Sequence, residues 1–214
     1  MKRGFLVAVV SSVLFLAAVP VFAAGGYLGL EGGAVWPEDV SFSGSGGTGN
    51  LNFDTGWSLG AVAGYNFGTW RLEGEYAYRS NDGSATVSAG TSGVSETGGG
   101  DTVTNALMLN AFYDFRMVSP TVYPYLGAGM GFAWVDQEVT TPSFRVDDSD
   151  TVFAYQFIAG IGFDLSKAFT MALDYRYFAT ADPSYSYNTT TGTSGSFNSE
   201  SKSSNVMLTL RFNF

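Results

Sequence analysis

The stretch Ser204–Phe214 reads SNVMLTLRFNF, and its alternation decides what kind of protein this is. Val206, Leu208, Leu210, Phe212 and Phe214 fall on one face of an extended chain, and Met207, Thr209, Arg211 and Asn213 fall on the other. That is the period of a β-strand with an apolar side and a mostly polar side. An edge strand of a soluble sheet carries the same period. What lies against the apolar face must therefore be read from the rest of the chain.

The length of 214 residues allows one all-β domain or two very small ones, and 16% aromatic content with 28 glycines favours β architecture. There are no cysteines, which removes disulfides and thiolate chemistry without fixing a compartment. There are also no histidines, so the chain lacks the usual general base near neutral pH and the commonest transition-metal ligand. Most hydrolase triads and zinc sites are thereby excluded. The formal net charge is −9, and it falls to −11 once Lys2 and Arg3 are set aside, leaving eight basic residues against nineteen acidic. A chain so acidic repels nucleic acid and anionic membrane surfaces, and suits divalent cations or basic partners.

The segment from Met1 to Ala23 has a positive start, an apolar run from Phe5 to Val19 broken only by Ser11 and Ser12, and a Val21-Phe22-Ala23 end. The run is shorter than the ~20 residues a spanning helix needs, and small residues at its end suit cleavage after Ala23. The expected organisation is a signal peptide over 1–23 and one β-barrel domain over 24–214. Eight extended stretches follow: Tyr27–Trp36, Thr55–Phe67, Trp70–Arg79, Val103–Phe115, Val122–Val135, Val152–Leu165, Phe169–Phe178 and Ser204–Phe214. Most run to 10 to 14 residues, which exceeds the ~5 to 6 of a soluble strand and meets the ~9 to 11 of a tilted membrane-spanning one.

The connections alternate. Pro37–Asp54, Ser80–Thr102, Asp136–Thr151 and Ala179–Ser203 are long, whereas Gly68–Thr69, Arg116–Thr121 and Ser166–Ala168 are short. Long loops at one end and tight turns at the other are the layout of a membrane barrel, with the long loops outside and the turns periplasmic. All four tryptophans, Trp36, Trp57, Trp70 and Trp134, fall near strand ends on the apolar face, where an aromatic girdle needs them. The opposite face carries glycines together with Glu31, Arg71, Glu73, Glu75, Arg79, Asp114, Asp174, Arg176 and Arg211. A soluble lipocalin-type barrel puts its apolar face inside. A small barrel has room inside for glycine and paired charges but not for the aromatic set, so the aromatic face points into lipid. The expected fold is all-β, an eight-stranded antiparallel transmembrane β-barrel with four long extracellular loops and short periplasmic turns.

The whole mature chain resembles the eight-stranded outer-membrane proteins that include the OmpA-type membrane domain and the opacity-type proteobacterial surface antigens. The resemblance rests on Pro124-Tyr125-Leu126-Gly127-Ala128-Gly129-Met130-Gly131, on Asp174-Tyr175-Arg176-Tyr177 and on the Phe214 ending. It implies a place in the Gram-negative outer membrane among lipid and lipopolysaccharide, a monomeric barrel with both termini periplasmic, and an assembly signal in Leu208, Leu210, Phe212 and Phe214 that the barrel-assembly machinery reads. No periplasmic domain follows the barrel in this sequence, so anchoring to the cell wall is not carried over. Enzymes occur among such barrels, but they rely on histidine, so the expectation is a protein without catalysis or cofactor.

The inward charges are the remaining candidates for chemistry. Glu73 and Glu75 lie roughly 7 Å apart along one face, a spacing open to paired carboxylates, yet Arg71 and Arg79 flank them and favour a structural ion-pair network in the lumen. Glu31 and Arg211 sit at similar heights and are expected to pair across the closing seam. Asp147, Asp148 and Asp150, near Asp136 and Glu138, offer oxygens to a hard cation but lack the glycine and distal glutamate of an EF-hand loop. A solvated acidic loop is the plainer reading. The Gly/Ser/Thr/Asn-rich loops over 80–102 and 179–203, with Tyr185, Tyr187 and Phe197, are open to adhesion on a host or phage surface or to simple antigenic display. The function read from the sequence is a surface or structural protein that supports envelope integrity. A narrow channel for small solutes, kept open by glycine-lined walls, is the alternative, and a carrier of hydrophobic ligands is opposed by the inward charges.

Overall fold

The computed structural model describes residues 25–38, 40–44, 47–89, 95–116, 119, 121–141, 144–181, 184–188, 194–198 and 202–214. The expected signal peptide lies outside the described residues. In chain order the strands are β1 (Gly26–Pro37), β2 (Val40–Gly44), β3 (Gly47–Phe53), β4 (Gly56–Asn66), β5 (Trp70–Ala89), β6 (Ser95–Asp114), β7 (Val122–Thr141), β8 (Phe144–Asp164), β9 (Phe169–Thr180), β10 (Ser184–Asn188), β11 (Ser194–Asn198) and β12 (Lys202–Asn213).

Eight of them close a ring through antiparallel neighbours: β1 to β4, β5, β6, β7, β8, β9, β12 and back to β1. Closure is what lipid demands, because no water is present there to satisfy an open edge. The terminal strand supplies the seam. It pairs with β1 from Tyr27↔Asn213 to Pro37↔Ser203, and Phe214 N–H donates to Gly26 O at 2.9 Å. Leu208, Leu210, Phe212 and Phe214 stand on the outer surface, as do Trp36, Trp57, Trp70 and Trp134. Leu30 is 71% exposed, which only an apolar surrounding makes favourable. Trp70 packs edge-on against Tyr113 at 4.9 Å near the turn end, and Trp57 lies 5.5 Å from Tyr78 near the other.

The turns are built locally. Between β4 and β5, Gly68 adopts φ +100° and its N–H donates to Asn66 Oδ1 at 2.7 Å. Between β8 and β9, Ser166 Oγ accepts from the N–H groups of Ala168 and Phe169 at 3.2 and 3.1 Å.

The long connections differ from expectation in being largely strand. β5 and β6 stay paired up to Ser88↔Ser95, and β7 and β8 up to Thr141↔Phe144. β3 continues the wall by pairing with the upper part of β5, from Gly47↔Ala89 to Phe53↔Gly83, and β10 with β11 forms a separate hairpin. A strand of 20 residues, such as β5, rises about 65 Å along its length, twice what the hydrocarbon layer requires. These upper segments are rich in Gly, Ser, Thr and Asp and extend beyond the length that a membrane span requires.

Inside, large side chains are matched to glycines across the strand pair. Phe112 faces Gly127, Asn110 faces Gly129, Tyr125 faces Gly160, Tyr123 faces Gly162 and Tyr27 faces Gly64. A Cβ on Gly160 would lie 2.6 Å from both Asp174 Cβ and Tyr125 Cζ, and one on Gly129 would collide with Asn110 Oδ1. The glycine-rich walls therefore do not line an open pore; they make room for what fills it. Nor are aromatics confined to the lipid face, since Tyr27, Phe112, Tyr123, Tyr125 and Phe178 are all buried in the lumen. Gly160→Val should overpack this layer and cost about 1–3 kcal/mol of unfolding free energy in urea titrations of the micelle-embedded protein. Gly74→Ala, where the nearest heavy atom to the new Cβ is 3.8 Å away on the outer face, should leave the midpoint in place.

Candidate functional site

The lumen side chains form layers, each set by the period of the strands that carry them. At the turn end a cavity of about 730 Å³ opens outward. Its floor is Tyr123, whose ring lies 3.7 Å beneath the Arg116 guanidinium and whose hydroxyl accepts from Arg211 Nη2 at 3.2 Å. Asp164, beside it, accepts from Arg116 Nη1 at 2.8 Å, from Thr170 Oγ1 at 2.7 Å and from the Tyr123 hydroxyl at 3.3 Å.

Above this floor Arg71 Nε donates to both oxygens of Asp114 at 3.0 and 3.1 Å, and its Nη1 donates to the Tyr27 hydroxyl at 3.2 Å. The guanidinium stacks 4.2 Å from the Phe112 ring. Tyr27 in turn donates to Glu73 Oε2 at 2.8 Å, and Tyr125 donates to Asp174 at 2.7 Å.

The middle of the lumen is organised by Arg176 of β9. Its Nε donates to Asp174 at 2.6 Å, its Nη2 to Glu31 at 2.7 Å, and its Nη1 lies 3.1 Å from Glu75. Glu75 also accepts from Asn110 and Gln156 at 2.7 and 2.8 Å. One arginine thus ties β1, β5 and β9 across the interior, and the amides bring in β6 and β8. Glu75 and Asn110 are fully buried, so side chains fill the lumen at this level. Arg79 is the last cation of the stack, 3.6 Å from Glu75 and 4.1 Å above the Phe178 ring. Its Nε and Nη1 find no hydrogen-bond partner among the described residues. An apolar cluster of Ala106, Met108, Ala133, Val135, Val152, Ala154 and Phe178 closes the loop end.

All nine charges read as inward from the sequence are inside and buried: Glu31, Arg71, Glu73, Glu75, Arg79, Asp114, Asp174, Arg176 and Arg211. One pairing differs. Glu31 takes its guanidinium from Arg176, not from Arg211, because the seam register sets Thr209 opposite Glu31 and Gly29 opposite Arg211. Adjacent height on neighbouring strands is a weaker guide than the diameter of the barrel, which a long arginine crosses. Glu73 and Glu75 do not face a common point: Glu73 turns to Tyr27 and Arg71, and Glu75 turns to Arg176 and Arg79. The tyrosines Tyr27 and Tyr123, the amides Asn110 and Gln156, and Arg116 with Asp164 complete the network. Their parity placed most of them inward, but nothing in the sequence marked them as members. Among the described residues no group of three or more acidic, histidine or cysteine side chains could hold a metal ion, and the side chains of Glu138, Asp147, Asp148 and Asp150 lie outside the described residues.

The family model of the outer membrane protein beta-barrel domain matches residues 5–212. The chain belongs to that family. Its place is accordingly the bacterial outer membrane. Neisserial surface protein A is similar over 89% of this chain and 98% of its own, at 17% identity and a TM-score of 0.58. A major outer membrane protein of Thermus thermophilus aligns over 88% of this chain and 99% of its own at 15% identity, TM-score 0.49. The N-terminal barrel domain of Pseudomonas aeruginosa OprF aligns over 89% and 98% at 14% identity, TM-score 0.45. No curated protein sequence matches the chain. The first of these structures shares the barrel fold.

The Arg176 cluster makes a quantitative claim. Arg176→Gln removes the cation that Glu31, Glu75 and Asp174 share, leaving only Arg79 beside Glu75, and should cost about 3–5 kcal/mol in denaturant unfolding. In double-mutant cycles, Glu31→Gln with Arg176→Gln should couple by about 1–3 kcal/mol, whereas Glu31→Gln with Arg211→Gln should add to within about 0.5 kcal/mol.

Proposed function

We propose that this protein is a non-catalytic surface and structural component of the outer membrane, supporting envelope integrity and presenting its loop-end hairpins to the outside. The observation that carries the reading is the sealed lumen. At the level of Glu75, Asn110 and Arg176 the interior is filled by hydrogen-bonded side chains, and the apolar cluster around Phe178 lies beyond it. An eight-stranded barrel has an interior just wide enough for side chains to fill, so a plug of this kind needs no extra domain. Every candidate carboxylate inside is engaged by an arginine, a tyrosine or an amide, which supports a scaffold over an active site.

In this reading the segment 1–23 directs export and is removed, and the barrel then works as a monomer. The outward Leu208, Leu210, Phe212 and Phe214 serve the assembly machinery, and the tryptophans Trp36, Trp57, Trp70 and Trp134 sit at the two lipid and lipopolysaccharide interfaces. The hairpins above the membrane are the part free to meet a host or phage surface. Their composition, rich in Gly, Ser, Thr and Asn, supports adaptable polar contacts over a fixed pocket.

The cavity at the turn end supports a second reading, a narrow channel for small solutes, because about 730 Å³ of the lumen is open to one side. Planar-bilayer recordings separate the two. Insertion is first confirmed by heat-dependent mobility on SDS gels. A demonstrably inserted barrel is expected to show no discrete conductance; reproducible steps that change in Glu73→Gln or Arg176→Gln would establish the channel instead.

A further inference from the structure

The cations of the lumen are unequally provided for. Arg71 has Asp114, Arg79 has Glu75, Arg116 has Asp164 and Arg176 has three carboxylates. Arg211 has none among the described residues. It is 3% exposed, its one hydrogen bond goes to the Tyr123 hydroxyl at 3.2 Å, and its Nε has no partner. The neighbouring Tyr27 ring, 5.4 Å from its guanidinium carbon, offers a weak attraction at most. A buried guanidinium without a counter-charge costs several kcal/mol unless something supplies the anion.

No described side chain is placed to do so. Gly29 lies across the seam from Arg211, and Val62 Cγ2 and the Arg211 stem crowd it, at 2.8 and 3.1 Å from where a Cβ would stand, so no acid can be carried there. Asp164, the acid that lines the same cavity, is already engaged by Arg116, Tyr123 and Thr170. Lys167, in the turn between β8 and β9, lines the cavity as well and has no ion-pair partner among the described residues. A protein of formal net charge −9 thus holds, at its turn end, a concave site with two uncommitted cations.

We propose that the turn-end cavity binds a small oxyanion, a phosphate or carboxylate group, on the guanidinium of Arg211 with Lys167 as the second cation. The guanidinium suits such a group because its N–H donors form a planar fork that matches two oxygens. The Tyr123 hydroxyl, which accepts from Nη2, and the nearby Tyr27 ring hold the fork in place, and Lys167 adds charge at the rim without fixed geometry. Access is from the periplasmic side, where short turns place this end in an outer-membrane barrel. The site is independent of conduction, since the lumen is filled above it.

The test uses the protein purified from outer membranes in a zwitterionic detergent, with ¹⁵N-labelled arginine, titrated with sodium phosphate or succinate at fixed ionic strength. The Arg211 Nε–H resonance should shift and saturate, while those of Arg71 and Arg176 stay still. Lys167→Gln, on an exposed turn, should weaken binding roughly fivefold with the fold intact by heat-dependent mobility. Both substitutions at Arg211 remove that reporter, so they are read on the Arg116 Nε–H resonance at the same cavity: Arg211→Gln should abolish its saturable shift, and Arg211→Lys should keep part of it. If Arg211→Gln does not fold, the wild-type titration and Lys167→Gln decide. A second series in micelles containing phosphatidylglycerol identifies the source: an Arg211 resonance already shifted before phosphate is added means a lipid headgroup occupies the site, and an unshifted one means a free anion. An Arg211 resonance that does not shift or never saturates, or an Arg116 shift that persists unchanged in Arg211→Gln, would overturn the proposal.

Discussion

The constraint on which this structure depends is the width of an eight-stranded barrel. Lipid forces every backbone group into the closed ladder, and eight strands then fix a lumen just wide enough for large side chains to fill. The solution is steric complementarity across strand pairs. Tyr27, Phe112, Tyr123 and Tyr125 reach inward because the residues opposite them are glycines, and a Cβ at Gly64, Gly127, Gly160 or Gly162 would strike the ring it faces. Glycine abundance, usually a sign of loops or open space, here measures how much the interior has to hold.

Filling the lumen with charge carries a second constraint. A carboxylate or guanidinium taken out of water loses solvation worth several kcal/mol, and only close, well-oriented partners offset it. Arg176 meets this by engaging Asp174, Glu31 and Glu75 at once, with Asn110 and Gln156 donating to the last. The cluster draws its members from five strands, so it is complete only when the barrel has closed. Such a network adds less to net stability than its contacts imply, because desolvation is subtracted from each. Its stronger effect is on register: a strand slipped by one residue turns its charges into lipid and its leucines into the lumen.

Much of this was legible in the sequence, for a physical reason. Period-two alternation is enforced by lipid on one side and a polar lumen on the other, so the faces of Trp70–Arg79 or Ser204–Phe214 could be read residue by residue. The seam strand and all nine inward charges followed from that. What did not follow is anything set by the third dimension of the barrel. Glu31 meets Arg176, far away in sequence and on a strand it does not touch, because the stagger of the ring and the reach of arginine decide the partner. The extension of β5 to β8 beyond the length of a membrane span was equally hidden, since segments rich in Gly, Ser, Thr and Asp carry few apolar residues to impose a period.

The two ends of the molecule emerge as chemically unlike, and the filled lumen keeps them so. At the loop end, Val135, Val152 and Phe178 close the barrel beneath polar hairpins. At the turn end, the barrel is open to the depth of Tyr123, and its lining sets Arg71, Arg116, Lys167 and Arg211 against the single acid Asp164. A solute entering there meets the Arg71–Asp114 pair and the stacked Phe112 and Tyr125 rings before any continuous path begins. Each end thus has its own set of side chains, carried on the strands of a single closed sheet.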